Sequence, residues 1–289
     1  MPHANEWVLF ENNIGQFLSI DETALSQGEL YTVITNKEGK GRKGTLVAMI
    51  KGTNSNTIRS ILEKIPLSKR NKVKEVTLDM AANMENIARF SFPNASLVTD
   101  RFHVQKLAYD AVQEMRIQYR WQAIEQENKE IELSKETNQK FIPEVLENGD
   151  TLKQLLARSR YLLFKSKTAW TPSQIYRAEL LFARFPLLEQ AYDLAMQLGT
   201  IYNKTKVKGV AYTKLALWYE QVDKAGFKSF NTVAKSIEYH YQTILNYFDN
   251  HSTNASAESF NAKIKAFRSS FRGVRNVSFF LFRLSNIYA

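Results

Sequence analysis

Cysteine is absent from the 289-residue chain, which excludes a disulfide framework and any zinc site built on thiolates. Long apolar runs are missing too. The most apolar cluster, Phe279-Phe-Leu-Phe282, falls far short of the ~20 residues a membrane span needs, so no membrane partner is expected. Residues 1–7 carry no basic region ahead of an apolar one, so no secretory signal is expected. No repeat of fixed period runs along the chain. Acidic side chains are outnumbered, 29 against 39 Lys and Arg, which leaves a net charge of +10. A hydrophobic fraction of 44% and an aromatic fraction of 12% place the chain among packed globules rather than disordered ones. The positive excess points to nucleic acid or an anionic surface as partner. The expectation is a cytoplasmic protein, bacterial and nucleoid-associated when acting.

What is present divides by pattern. The first hundred residues alternate in the manner of strands at 17–21, 30–35, 45–51, 73–79 and 95–100. A helix capped by Asn54 or Ser55 carries Ile58, Ile61, Leu62 and Ile65 on one face, and a shorter one spans 84–90 ahead of Pro93. Three strands joined as an antiparallel meander are therefore followed by strands that alternate with helices and run parallel. From 104 to about 250 the periodicity is helical, beginning with the stripe Val104, Leu107, Ala108, Ala111, Val112 and Met115. The charged stretch 125–140 reads as a solvated helix end or loop, and Thr171-Pro172-Ser173 as a helix start. Trp121, Trp170 and Trp218 in this block read mainly as core. The expected fold class is α/β, with a mixed sheet interrupted by a large all-α insertion. Its segments are 1–104, a helical insertion at 105–250, and C-terminal helices at 251–289 that complete the first part.

Three acidic residues stand out against this frame. Asp21 closes Gln16-Phe-Leu-Ser-Ile-Asp, and Asp79 closes Lys74-Glu-Val-Thr-Leu-Asp. Glu258 heads a helix on which Asn261, Lys265, Arg268 and Arg272 recur at steps of three and four. Phe260, Ile264, Phe267 and Phe271 form the adjoining apolar face. Carboxylates at the carboxyl ends of adjacent strands sit where open α/β sheets place their sites. Three hard oxygen donors suit Mg²⁺ or Mn²⁺, and a pair of such ions can cleave a phosphodiester. Lys265, Arg268, Arg272 and Arg275 would track a phosphate backbone without reading bases. Bland readings stay open here: an aspartate ending a strand is often a turn or cap residue, an early helical glutamate suits the macrodipole, and basic stripes are often solvated faces.

Several boxes in a fixed order carry a resemblance. Val76-Thr-Leu-Asp-Met-Ala is followed by Phe92-Pro-Asn-Ala and by Val98-Thr-Asp-Arg-Phe-His-Val. Arg160-Tyr-Leu-Leu-Phe-Lys and Phe185-Pro-Leu-Leu-Glu-Gln-Ala-Tyr-Asp-Leu lie in the middle. Ala257-Glu-Ser-Phe-Asn-Ala-Lys-Ile-Lys precedes Arg272-Gly-Val-Arg-Asn, and Leu18-Ser-Ile-Asp-Glu22 opens the series. This order, from about residue 17 to the end, resembles the catalytic region of insertion-sequence transposases of the ISL type. Ser259 stands where that family commonly has glycine, and Gly-Val-Arg where it has Gly-Phe-Arg. The resemblance implies an RNase H-like fold and a DDE transposase using two Mg²⁺ ions, for which Mn²⁺ can substitute. The implied catalytic and metal-binding triad is Asp21, Asp79 and Glu258. Asp100 is a rival second carboxylate. Asp79 is preferred because its strand should lie beside that of Asp21, and Asp100, His103 and Asn261 are assigned supporting roles. Arg101 is a candidate phosphate contact.

The implied partners are DNA, as transposon ends and target, with an oligomer assembling on it. Transposases of this appearance carry an N-terminal zinc-binding and helix-turn-helix region. A separate end-recognition polypeptide is the expectation for this chain, against a truncation. Two other functions compete: a catalytically silent DNA-binding remnant, and another RNase H-like nuclease.

Overall fold

Apolar side chains at alternate positions draw short segments of the chain into one sheet. In the computed structural model, which describes residues 6–25, 29–270 and 276–289, these are β1 (Trp7–Leu9), β2 (Phe17–Ala24), β3 (Leu30–Asn36), β4 (Leu46–Lys51), β5 (Glu75–Leu78) and β6 (Ser96–Thr99). The sheet is mixed and six-stranded, in the order β1-β4-β3-β2-β5-β6. The pairs β2–β3, β3–β4 and β1–β4 are antiparallel, whereas β2–β5 and β5–β6 are parallel. β1 was not expected from the sequence. Three residues are too few to show a period, and its place comes from pairing Trp7 with Ile50 far along the chain.

The helices follow from local chemistry. The Asn54 side chain accepts from the Thr57 N–H at 3.1 Å and so opens α1 (Ser55–Leu62). A short turn, α2 (Leu67–Arg70), leads into β5, and α3 (Ala82–Ser91) separates β5 from β6. α4 (Arg101–Glu136), α5 (Leu152–Arg158), α6 (Pro172–Arg184), α7 (Pro186–Lys204), α8 (Lys208–Ala225), α9 (Lys228–Tyr239) and α10 (Tyr241–Asn250) come next. α11 (Ala255–Ser270) and α12 (Val277–Tyr288) end the chain. Among the described residues no helix is long and apolar enough to cross a membrane.

Chain contacts form two compact units, one joining the segment through Val104 to His240–Ala289, the other Gln105–Tyr239. In the first, two cores lie on opposite faces of the sheet. Ile58, Ile61 and Leu62 of α1 and Met84, Ile87 and Ala88 of α3 bury with Leu18, Ile20, Val76 and Leu78. Phe260 and Ile264 of α11 and Phe280, Leu281 and Leu284 of α12 bury with Tyr31, Val33 and Met49. The alternation of β2 and β3 thus feeds both layers.

The unit boundary at 239/240 differs from the 250/251 expected from the sequence. α10 packs on the edge strand β6, where Asn246 Nδ2 donates to the Leu97 carbonyl at 2.9 Å and Thr99 and Thr243 hydroxyls meet at 2.7 Å. An amphipathic helix does not announce in its own sequence which core it joins.

The second unit is all helical. Gln174 and Thr171 exchange side-chain and backbone hydrogen bonds at the head of α6, and Pro186 opens α7. Trp218 is fully buried, its Nε1 donating to the Leu194 carbonyl at 2.9 Å, and Trp170 is half-buried beside Phe182 and Tyr192. Trp121 departs from its expected core placement. It is 57% exposed, on the part of α4 that runs on into the charged, solvated stretch.

Two substitutions test this layering by denaturant unfolding. Phe260→Ala, which empties a fully buried site, should cost about 3–5 kcal/mol. Phe282→Ala, on the exposed face of α12, should stay within about 0.5 kcal/mol of wild type.

Candidate metal centre

The sheet sets the two aspartates side by side. β2 and β5 are parallel with Ser19 opposite Thr77, and Asp21 and Asp79 each lie two residues further on. Side chains alternate across a strand, so Ser19, Asp21 and Thr23 share a face with Glu75, Thr77 and Asp79. This is the face that α11 covers. β2 does not end at Asp21, as expected from the sequence, but continues to Ala24 because β3 goes on pairing with it, Val33 opposite Asp21. β5 ends at Leu78. Asp21 therefore stands where β2 loses its parallel neighbour, and the sheet leaves room for a site.

Hydrogen bonds orient these carboxylates. Asp21 Oδ1 accepts from the Glu22 N–H at 2.8 Å, and Oδ2 accepts from Asn261 Nδ2 at 2.6 Å. Asp79 Oδ1 accepts from the Ala81 N–H at 2.9 Å, just ahead of α3. Asp100 follows β6, its N–H donating to the Leu78 carbonyl at 2.9 Å and its own carbonyl accepting from the His103 N–H at 3.2 Å. The Asp100 side chain is 1% exposed, and its Oδ1 has no hydrogen-bond partner among the described residues. One ligand atom from each of Asp100, His103 and Glu258 lies within 4.8 Å of the others.

The helix α11 delivers Glu258 by anchoring on either side of it. Phe260 and Ile264 are fully buried, Asn261 reaches Asp21, and Lys263 Nζ donates to the Gly41 carbonyl at 3.0 Å. Gly41 has φ 72°, a conformation that favours glycine, and a Cβ there would stand 2.8 Å from that nitrogen.

Burial dominates the electrostatics. It raises the Asp21 carboxyl above its ordinary value, and nearby Asp79 adds to this; the Glu22 N–H, His103 and Asn261 oppose it. Glu258 is raised by desolvation, then by Asp100 and Asp21, with His103 opposing. Glu22, which the sequence marked only as the neighbour of Asp21, is raised by desolvation and by Asp79 and Asp21, while Asn83 hydrogen-bonds it and lowers it. His103 thus bears on both Asp21 and Glu258, and Asp79 bears on Asp21. No pattern in the sequence distinguishes the Glu22–Asn83 pair, since the two are neighbours through folding alone.

The predicted phosphate contacts are spread along the chain. Lys265 is exposed on α11, and the Arg268 guanidinium lies 5.3 Å from the Phe280 ring centre. Arg101 reaches the Tyr247 hydroxyl at 3.5 Å. Arg272 and Arg275 fall outside the described residues, as does Phe271.

A family profile described as "Transposase", of the ISL3-type DDE group, matches residues 18–284. The chain belongs to the ISL3-type DDE transposase family. A curated relative, the transposase for insertion sequence element IS1001 of Bordetella parapertussis, is 24% identical over 274 residues, which is 93% of this chain. The chain spans 60% of that relative's length. No solved structure matches.

A DDE transposase implies divalent metal, and the donors present fit one. Carboxylate oxygens are hard-cation ligands, imidazole suits first-row ions, and Asp100 offers a buried oxygen with no protein partner. Among the described residues, Asp100, His103 and Glu258 bring their ligand atoms together for this, and Asp21 and Asp79 are not part of that group.

The raised Asp21 carboxyl has a consequence for stability. The folded chain holds this proton to higher pH than the unfolded chain, so the contribution of Asp21 to stability falls as pH rises from the ordinary carboxylate value through the folded one. In chelator at neutral pH, Asp21→Asn should melt a few degrees above wild type. The gap should close below the ordinary carboxylate range. Mn²⁺ or Mg²⁺ should raise the melting temperature of wild type more than that of the variant, as read by thermal unfolding.

Proposed function

We propose that the chain is the catalytic region of a transposase that hydrolyses DNA at the ends of an insertion sequence and joins the freed ends to target DNA. The observation that supports this is a series of couplings among residues from three distant segments. Asp79 raises the Asp21 carboxyl, Asp21 raises that of Glu258, and Asn261 ties the helix of Glu258 to Asp21. An RNase H-like fold is the matching architectural reading. The order β4-β3-β2-β5-β6, with an antiparallel meander ahead of parallel strands, supports it, with β1 added at the edge.

Asp21, Asp79 and Glu258 would hold divalent metal, which would supply activation of the attacking oxygen and stabilisation of the leaving one. The chain's own residues set the geometry around that chemistry. Asp21 has both oxygens directed by hydrogen bonds, so its rotamer is fixed before any ligand arrives. The Ala81 N–H engages one oxygen of Asp79. Water attacks the phosphorus and gives up a proton as the P–O bond to the 3′ oxygen breaks and that oxygen gains one; the resulting 3′ hydroxyl then loses its proton and attacks a target phosphodiester, whose own 3′ oxygen leaves and is protonated. Lys265 and Arg268, downstream of Glu258 on one helix, would hold the phosphate backbone in line; Arg272 and Arg275 extend the same reading. DNA is the substrate, and assembly on two ends requires more than one copy.

The decisive experiment is strand cleavage in Mg²⁺ on plasmid DNA carrying the ends of the element that encodes the chain, with any end-recognition polypeptide supplied. Asp21→Asn, Asp79→Asn and Glu258→Gln should each lower the rate by about a thousandfold or more while the melting transition persists. Full activity in all three variants would end this assignment. Lys265→Ala should instead weaken DNA binding evenly across sequences and reduce the slope of log affinity against log salt by about 1. An unchanged slope, by fluorescence anisotropy, would remove Lys265 from the backbone contacts.

A further inference from the structure

The geometry points to His103 as a metal ligand. One of its ring nitrogens, with a carboxylate oxygen from each of Asp100 and Glu258, forms a mixed nitrogen and oxygen site that favours Mn²⁺ over Mg²⁺. This deepens the metal-dependent reading above and rests on it.

Three observations carry it. The donor atoms already lie within 4.8 Å of one another, a spread that modest side-chain movement brings to a common ion. Asp100 lies between β6 and α4, and His103 follows in the first turn of α4, its N–H bonded to the Asp100 carbonyl. Two of the donors are thus held by a rigid strand-to-helix junction. The Asp100 side chain is also 1% exposed with Oδ1 unbonded among the described residues. A buried carboxylate oxygen without a protein partner is a place for water or a cation to bind. Asp21 differs, since both of its oxygens accept hydrogen bonds from the protein.

The choice of ion follows from the donor set. Mg²⁺ keeps to oxygen ligands in a tight octahedron and dehydrates reluctantly. Imidazole suits first-row transition ions, and Mn²⁺ accepts it alongside carboxylates. A nitrogen among the ligands therefore penalises Mg²⁺ more than Mn²⁺.

Electron paramagnetic resonance of the full chain with Mn²⁺ tests this without reference to activity. The bound ion should carry the nitrogen coupling of an imidazole, and the pattern should change when histidine is labelled with the heavier nitrogen isotope. That measurement uses wild-type protein, so folding is not at issue. His103→Gln should remove the coupling and weaken Mn²⁺ binding by at least about tenfold, with a smaller effect on Mg²⁺. Bound Mn²⁺ without nitrogen coupling, coupling that survives in His103→Gln, or no binding at millimolar Mn²⁺ would each overturn the inference. The outcome separates from that of the proposed function. If Asp21→Asn and Asp79→Asn abolish cleavage while Mn²⁺ shows no nitrogen, the oxygen-ligated reading stands and this one falls. If the coupling is present but those variants still cut, the nitrogen site stands and the assignment of the triad falls.

Discussion

Like charges gathered in a partly desolvated place set the terms for the rest of this fold. Ligand atoms of Asp100 and Glu258 lie within 4.8 Å. Two unit charges at roughly that distance repel by about 3 kcal/mol at an effective dielectric near 20, and by less where water reaches the exposed Glu258. Asp21 and Asp79 add to the same field. The protein offsets part of this with neutral donors, the Glu22 and Ala81 N–H groups and the Asn261 amide, and with His103. Lys37 adds a fixed positive charge that acts on Asp100. Desolvation and neighbouring carboxylates still raise Asp21 and Glu258 above their ordinary values, and an added cation would relieve both effects.

The same sheet face shows how the fold treats a carboxylate it wants neutralised. Glu75 lies on the β5 face shared with Asp79, four residues earlier, and is 2% exposed. It receives Lys37 at 3.3 Å and the Asn250 amide at 3.2 Å. Lys37 also bonds the Thr77 hydroxyl. At one end of this polar column a lysine is buried to meet the charge, and burial lowers its pKa from the ordinary value. The same lysine also acts on Asp100, whereas the groups that offset Asp21 are the Glu22 N–H, His103 and the Asn261 amide. The compensation along this face thus passes from a bonded lysine at Glu75 to neutral donors and an imidazole at Asp21.

Much of this was legible where chemistry is local. The cap at Asn54 and the helix start at Thr171-Pro172-Ser173 are read from side chains within one turn of the backbone groups they serve, whereas Pro186, which reads as a helix breaker, opens a helix instead. The alternation of Leu18 and Ile20 against Ser19 and Asp21 marks both the strand and its two faces, which is why Asp21 and Asp79 emerged as a pair. The misses have a common cause in long-range contact. β1 exists because Trp7 pairs with Ile50, and β2 outlasts Asp21 because β3 continues beside it. α10 belongs with β6 because Asn246 meets Leu97. The Trp121 ring carries no sign of its surroundings in its own neighbourhood of sequence. The weight of His103 was likewise hidden, since its bearing on both Asp21 and Glu258 arises from folding.

The separation in sequence between Asp100 and Glu258 raises the question of what fixes the last carboxylate. The connecting residues 105–239 make up the all-helical unit. Within the mixed α/β unit, Phe260 and Ile264 bury against the sheet, Asn261 grips Asp21, and Lys263 grips Gly41. α10, immediately before α11 in the chain, is pinned to β6 and Glu75 in the same unit. The strand that ends just before Asp100 and the helix that starts three residues before Glu258 are therefore registered through a shared sheet. The site's geometry is set by short contacts in one core, and a long connection between its second and third segments is compatible with it at little entropic cost once the sheet has formed.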